Sequence, residues 1–418
     1  MTPPTTNSGS AARRVLWVAD NLTTGGIGTV SQYAAEALSR VPGWAVTLLS
    51  LRPGTQDHID ATTGVRHVSL GLGNDAAPQF LDWLEANPHD VIVTNAVPQV
   101  EAAFSFLPAN SVHVIAIHDS SRSHIDVALR NAKTTDGVIA VAHHVAAMLD
   151  SKLRQAGYRG IIETIHNGAQ FPPQPTRTPP QDRMRLLYLG SMDPFKGIFD
   201  LAQVLKRLYK LGVPATLTIA GGSNRLLADR LRQYALNAAV TWTGWLDHEQ
   251  CYELTASSDV LLMPSRKEAF GMVTIEAMAM GCVPIAYDIT SGSREIIEHG
   301  KNGLLIPLGD FWGCARSIKR LHEAPLDWQR LSLGAMQRAR TNFTADRMAS
   351  NLAAFFLRVI DNAQAKPASR IRGRPVAFQE KAKQTRSAYQ LLPATFRERM
   401  RTHIGSSPHL CHWLLSRW

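Results

Sequence analysis

Two glutamates eight positions apart, Glu268 and Glu276, bracket a glycine in the stretch RKEAFGMVTIEAMAMG at 266–281. One ionised carboxylate accepts two hydroxyl hydrogen bonds, which suits the diol of a ribose or a hexose. Gly271 permits a sharp entry into a helix running to about residue 280, whose first N–H groups have no intrahelical partner and favour an anion. Glu276 then falls about one and a half turns into that helix, beside any ligand at its mouth. The spacing lets Glu268 hold one part of a ligand and Glu276 another, with phosphate between them. The alternative is two solvated glutamates. Against it, Glu276 sits inside the apolar run MVTIEAMAM, where an unpaired carboxylate is costly.

Three other short stretches carry residues able to do chemistry. DNLTTGGIGTV holds Gly25, Gly26 and Gly28 ahead of a helical segment, a pattern that lets backbone approach a phosphate. A tight turn without a ligand explains the same glycines, and the spacing does not fit the nicotinamide fingerprint. IAIHDS places His118 and Asp119 just past an apolar run. A histidine there can bond a sugar hydroxyl or a reacting group, or be a core histidine satisfied by its neighbours. LGSMDPFKG carries Ser191 and then Lys196 just before a helix, where a cation and free N–H groups together suit a diphosphate. In isolation Lys196 reads as an exposed lysine.

The elements that must position these residues alternate along the chain. VLWVA (15–19), VTLLSL (46–51), VIVT (91–94), VHVIAI (112–117) and VIAVA (138–142) read as buried strands, with helices such as 29–40 and 143–155 between them. The pattern breaks at FPPQPTRTPPQDR (171–183), whose five prolines exclude helix and central strand and mark a linker. It restarts with LLYLG (186–190), TLTIA (216–220), VLLM (260–263) and VPIA (283–286). Between the first two of these, Ile198, Leu201, Leu205 and Leu208 form one helical face, with Gly212 and Pro214 to end it. Residues 327–362 read as helical. This alternation predicts an α/β fold of two Rossmann-like domains, each a parallel sheet covered by helices. Ligands of such sheets bind beyond the carboxyl ends of the strands, which is where all four candidate stretches fall.

Composition narrows the function classes. The 418 residues are 45% hydrophobic and 19% charged, a globular balance. The polar start MTPPTTNSGSAARR lacks the apolar core of a signal peptide, and no apolar run nears the ~18 residues of a membrane span. The expectation is a cytoplasmic protein. Cys251, Cys282, Cys314 and Cys411 are scattered and form no zinc or disulfide pattern. The net charge of +10 is concentrated at the end: residues 366–418 hold 11 Lys and Arg against two acids, or +9. Nucleic-acid binding is not expected, because no aromatic-interleaved recognition module accompanies that charge. The same tail contains Leu391, Leu392, Phe396 and Met400 beside Arg397, Arg399 and Arg401, and ends near Trp413 and Trp418. It reads either as a peripheral anchor on an anionic membrane surface or as a solvated or self-packed appendage.

The segment EAFGMVTIE resembles the E-x7-E motif of the retaining, GT-B-fold glycosyltransferases of family 4. The resemblance extends through GCVPIAYDITSGSREIIEHGKNGLLIP and, upstream, through HNGAQF, LLYLGSMDPFKG, TLTIAGGS and VTWTGWLDHEQCYELTASSDVLLMPSRKE, covering residue 14 to about 360. It implies the GT-B fold: two Rossmann-like domains with parallel sheets facing across a cleft, followed here by the basic C-terminal tail. By position it implies that Glu268 bonds the transferred sugar, that the backbone of Ala269, Phe270 and Gly271 approaches sugar and diphosphate, that Glu276 binds the ribose and that Lys196 binds the diphosphate. Gly25 and Gly26 would face the phosphate from the other domain, and His118 the sugar and acceptor. The family often carries arginine where this chain has Ser191, so either Lys196 acts alone or a cation such as Arg266 or an N-domain residue substitutes.

The expected organisation is a disordered N-terminus at 1–13, an acceptor domain at 14–170, a linker at 171–183 and a nucleotide-sugar domain at 184–343. A helix at 344–365, able to return to the first domain, precedes the tail at 366–418. The expected activity is retaining transfer of a sugar from a nucleotide-diphospho-sugar, with UDP or GDP as the nucleotide, to a glycan or lipid-linked acceptor of bacterial envelope polysaccharide synthesis. No cofactor is expected, and no metal, since the chain lacks Asp-x-Asp. The rival readings are a GT-B-fold sugar-nucleotide epimerase or hydrolase and a non-catalytic glycan-binding subunit.

Overall fold

The alternating pattern resolves into two α/β units in the computed structural model, which describes residues 12–22, 25–54, 57–72, 76–108, 110–119 and 121–365. The division falls after Gly168, and the chain re-enters the first unit at Ala345. Residues 1–11 and the basic tail at 366–418 lie outside the described residues, and with them the expected disorder of the N-terminus and the expected membrane contact.

The first unit runs β1 (Arg13–Ala19), α1 (Gly25–Ser39), β2 (Trp44–Ser50), β3 (His58–Ile59), β4 (Arg66–Ser69), α2 (Ala76–Ala86), β5 (Val91–Thr94), β6 (Val112–Ile117), α3 (Arg122–Arg130), β7 (Gly137–Ala140), α4 (His143–Gln155) and β8 (Ile161–Thr164). Its eight-stranded sheet has the order β3-β4-β2-β1-β5-β6-β7-β8 and is parallel except at β3. The central strands carry Val, Ile and Leu at successive positions because both faces are buried. Arg13, placed in the disordered N-terminus by the sequence reading, instead opens β1 and is in register with Trp44. The ladder needs no apolar side chain there, only backbone. Short β3, β4 and β8 escaped the sequence reading: RHVS lies next to the two-residue edge strand β3 and IIET is itself an edge, and both have too few apolar residues to show a pattern.

The second unit runs β9 (Met184–Leu189), α5 (Ile198–Lys210), β10 (Ala215–Ala220), α6 (Arg225–Gln233), β11 (Val240–Gly244), α7 (His248–Ser257), β12 (Val260–Met263), α8 (Met272–Ala279), β13 (Val283–Tyr287), α9 (Ser293–Ile296), β14 (Leu304–Ile306), α10 (Phe311–Glu323) and α11 (Pro325–Asn342). Its six strands are all parallel in the order β11-β10-β9-β12-β13-β14. Ile198, Leu201, Leu205 and Leu208 of α5 are buried against this sheet. The Pro-rich segment 171–183 forms no helix or strand, and Arg177 within it is buried over the Trp328 ring, so the segment is bound to this unit.

The helical stretch expected at 327–362 is two helices. The break comes at Phe343–Thr344, and α12 (Ala345–Gln364) belongs to the first unit. There it packs along α1, with Phe356 against Trp44 and with Phe355 and Val359 over Gly137, where a Cβ would come within 2.9 Å of both.

Each sheet has one point at which the strand order reverses, between β1 and β5 in the first and between β9 and β12 in the second. The loops leaving adjacent strands diverge there and open a crevice at the carboxyl ends, where ligands of open α/β sheets bind.

Candidate functional site

In the second unit, Lys196 and Glu268 meet at that crevice. The loop after β9 carries Lys196 on a short 3-10 turn at 194–196, and the loop after β12 carries Glu268. The Lys196 ammonium donates to Glu268 Oε2 at 2.7 Å. The carboxylate is 12% exposed and the lysine 35%, so the pair is partly open to solvent. Gly197 is what lets the two loops touch: its φ is +76°, and a Cβ there would overlap the Pro264 carbonyl at 1.9 Å. The Arg266 amide closes the contact by donating to the Phe195 carbonyl at 2.9 Å.

Gly271 adopts φ +109°, a conformation open to glycine, and α8 begins with the next residue. Phe270 is buried edge-on to Phe343, so its ring is structural and only its backbone faces the loop. Ala269 is buried as well. Thr274, in the first turn of α8, is fully buried, and its hydroxyl has no hydrogen-bond partner among the described residues. Glu276 lies further along α8 and is 13% exposed, with Oε1 facing His248 Nε2 at 3.3 Å. His248 opens α7 behind a capping box of Asp247 and Gln250 and rests on the edge of Tyr252. The Glu276 hydrogen bond raises the pKa of His248 against the lowering effect of its burial.

Arg266 is not the substitute cation that the sequence reading allowed. It is buried, and its Nη2 donates to both carboxylate oxygens of Asp200 at 2.8 Å. Its Nη1 donates to the Pro264 carbonyl, and Tyr287 donates to Asp200 Oδ2 at 2.6 Å. A buried guanidinium held through both terminal nitrogens is structural: it ties α5, the loop after β12 and β13 together beneath the site. Burial raises the Asp200 pKa, and the Arg266 charge pulls the other way. Ser191 is exposed in the Lys196 loop, its carbonyl accepting from the Tyr188 hydroxyl.

In the first unit, α1 starts at Gly25, four residues before the sequence reading put it. A Cβ on Gly25 or Gly26 would meet nothing within 4 Å, so the helix mouth is open, whereas one on Gly28 would press on the Leu22 carbonyl. His118 follows β6, and its Nε2 lies 2.9 Å from Asn95 Oδ1. Asn95 follows β5, and its Oδ1 also accepts from the Trp17 indole N–H at 3.2 Å. The Asn95 amide donates to Ser31 Oγ at 2.9 Å, and the Ser31 hydroxyl donates to the Ile27 carbonyl in the first turn of α1. Burial lowers the His118 pKa to about 4, so the ring is neutral at neutral pH. His118 is therefore bonded to its neighbours through Nε2, while its buried Nδ1 has no hydrogen-bond partner among the described residues. Asn95, Trp17, Thr274 and His248 were not singled out in the sequence. Asn95 alone had a signal, as the first residue past strand 91–94.

Two Rossmann-like parallel-sheet units in tandem define the GT-B fold of glycosyltransferases. Residues 174–337 match the family model described as glycosyl transferases group 1. A glycogen synthase of Mycobacterium tuberculosis is 26% identical over 321 residues, covering 72% of this chain and 73% of the relative. Among solved structures, the sucrose-phosphate synthase of Thermosynechococcus elongatus superposes with a TM-score of 0.68 at 21% identity, over 84% of this chain and 99% of that one. HepE of Anabaena, solved with UDP and glucose, does so with a TM-score of 0.60 at 18% identity, over 82% and 98%. The family match and the curated relative support a glycosyltransferase of glycan or polysaccharide biosynthesis.

Proposed function

We propose that the chain is a retaining glycosyltransferase that takes a sugar from a nucleotide-diphospho-sugar, UDP- or GDP-linked, and delivers it to a hydroxyl of a glycan or lipid-linked acceptor. The observation that carries this is the meeting of Lys196 and Glu268 at the strand-order reversal, beside the mouth of α8 and Glu276. Lys196 and the first N–H groups of α8 supply positive potential for a diphosphate. Glu268, once released from Lys196, accepts hydroxyls of the transferred sugar, and Glu276 those of the ribose.

In the reaction the bond from the sugar C1 to the phosphate oxygen breaks, and its electron pair leaves with the diphosphate. The acceptor oxygen bonds C1 from the same face, and its proton passes to the departing phosphate oxygen. No protein nucleophile is required. The enzyme contributes positioning and stabilisation of the growing diphosphate charge, chiefly through Lys196. Lys196 serves where other enzymes use a metal, and the chain has no Asp-x-Asp to hold one. The tail's +9 supports peripheral attachment to an anionic membrane surface, where lipid-linked acceptors reside.

A thermal-shift panel of UDP, GDP, ADP and their sugars tests the reading. At about 100 times its dissociation constant the right nucleotide stabilises by roughly 2.7 kcal/mol. Transfer from the stabilising donor to a glycan acceptor, with the anomeric configuration kept and with chelator present, completes the test. No shift with any nucleotide sinks the proposal, and inversion or chelator sensitivity sinks the mechanism. Fast epimerisation or hydrolysis without acceptor would favour a sugar-nucleotide epimerase or hydrolase.

A further inference from the structure

We infer that Asn95 and Trp17 are positioning residues that lock His118 in a single tautomer, with its Nδ1 lone pair bare, so that the first unit selects a ligand hydroxyl over an anion at this point. The inference rests on the glycosyltransferase reading for the identity of that ligand, an acceptor glycan hydroxyl, but not for the lock itself.

The lock follows from which groups can donate. An indole N–H only donates, so the Asn95 atom facing Trp17 at 3.2 Å is the carbonyl oxygen. The other side of the amide agrees, since it donates to Ser31 Oγ, whose own hydrogen is committed to the Ile27 carbonyl. Asn95 Oδ1 therefore offers only lone pairs to His118 Nε2 at 2.9 Å. A lone pair on Nε2 would repel it, so Nε2 carries the hydrogen. In the neutral ring that leaves Nδ1 without one. Nδ1 is closed off from solvent, and no protein group among the described residues donates to it. Burial, and after it the neighbouring His124, disfavour the imidazolium, which removes the alternative in which both nitrogens donate.

The chain of bonds runs across the strand-order reversal of the first sheet. Trp17 is on β1, Asn95 directly follows β5, His118 directly follows β6, and Ser31 and Ile27 are on α1. Four elements thus hold one imidazole at the carboxyl edge of the sheet. A buried acceptor without a donor is a site for a hydroxyl or an amide N–H, and it is hostile to a phosphate or carboxylate oxygen, which brings only lone pairs.

The test is nitrogen-15 NMR of histidine-labelled full-length protein, with the His118 ring assigned by its loss in His118→Gln. The expected wild-type signature at about pH 7 is a pyrrole-type Nε2 and a pyridine-type Nδ1. Trp17→Phe frees the Asn95 amide to turn over, and the signature shifts toward the other tautomer. Asn95→Asp still accepts from both Trp17 and His118 but adds a charge, so the ring titrates at higher pH and Nδ1 becomes a donor. Both variants should lose about tenfold or more in kcat/KM for the glycan acceptor, as expected when a buried hydrogen bond is lost, while nucleoside diphosphate affinity changes less than about twofold. A wild-type ring protonated on Nδ1, or a tautomer indifferent to both substitutions, overturns the lock. An intact lock with unchanged acceptor kinetics overturns the hydroxyl selection. If no nucleotide binds at all, the glycosyltransferase reading fails while the NMR outcome still decides the lock.

Discussion

The two glutamates of the opening motif have different neighbours, and so should behave differently. Glu276 faces His248 and, in the proposed complex, a ribose diol. Glu268 faces Lys196 and the transferred sugar. Glu276→Ala should weaken nucleoside diphosphate binding by about 1.5–3 kcal/mol, the usual loss for a hydrogen bond to a charged group. Glu268→Gln should leave that affinity nearly intact and lower turnover. Calorimetric titration of both variants checks the assignment, and a larger loss in Glu268→Gln reverses it. His248 adds a pH dependence. Its pKa is raised above the ordinary value of about 6.5 by Glu276, so the charged pair forms below that raised pKa and dissolves as pH rises through it. The pair thus contributes stability on the acid side and loses it toward neutral and alkaline pH. Donor binding follows the opposite course, because ribose must displace His248 from Glu276. Nucleoside diphosphate affinity should rise with pH across this window in the wild type and flatten in His248→Gln. An unchanged pH profile in that variant would remove His248 from the donor site.

At the scale of elements, the sequence was most readable where a segment is buried on both sides. VIVT and VHVIAI match β5 and β6 residue for residue, since a continuous apolar run has one way to sit in a parallel sheet. The edge strands β8 and β11, and β4 beside the short edge strand β3, were not readable, because a half-covered sheet margin tolerates Arg66, Glu163 and Thr241 and leaves no pattern. Lys196, Glu268 and Glu276 were visible as residue types at strand ends. What was hidden is tertiary: that Arg266 is spent on Asp200, and that Asn95 ties Trp17, Ser31 and His118 together. Those bonds link positions 23 to 78 residues apart, so only the packing of the folded chain chooses their partners. The Asp200–Arg266–Tyr287 cluster sets where the Lys196 and Glu268 loops lie. Asp200→Asn leaves a buried guanidinium without its counter-charge and should cost about 3–5 kcal/mol. Urea unfolding reads that loss. If the cluster positions the loops, nucleoside diphosphate affinity at a temperature where the variant is still folded should fall as well. A destabilised variant with unaltered affinity would confine the cluster to stability.

For the whole molecule, the second crossing of the chain between units is the feature with mechanical consequence. After α11 the chain re-enters the first unit as α12, whose Phe355, Phe356 and Val359 are fully buried there. The helix is thus part of the first unit's core, while everything after residue 365 lies outside the described residues. Two truncations separate these roles. Cutting after Gln364 keeps α12 whole, and the protein should retain its melting temperature and nucleotide binding. If the tail is the membrane anchor, that cut should also abolish binding to vesicles containing anionic lipid, a binding that in the full chain weakens with salt, since each Lys or Arg near such a surface contributes about 1 kcal/mol. Cutting after Thr344 strips the three buried side chains from the first unit, each worth about 2–5 kcal/mol to its core. A domain's whole stability is about 5–15 kcal/mol, so the first unit should unfold. The second unit keeps β9 to α11 and its own core and should keep its separate transition and its nucleotide affinity. Differential scanning calorimetry with and without nucleotide distinguishes the two units, because ligand moves only the transition of the unit that binds it. A Thr344 truncation that melts like the full chain would show that α12 is dispensable to the first unit. Equal vesicle binding by the full chain and the Gln364 truncation would remove the tail from any membrane role.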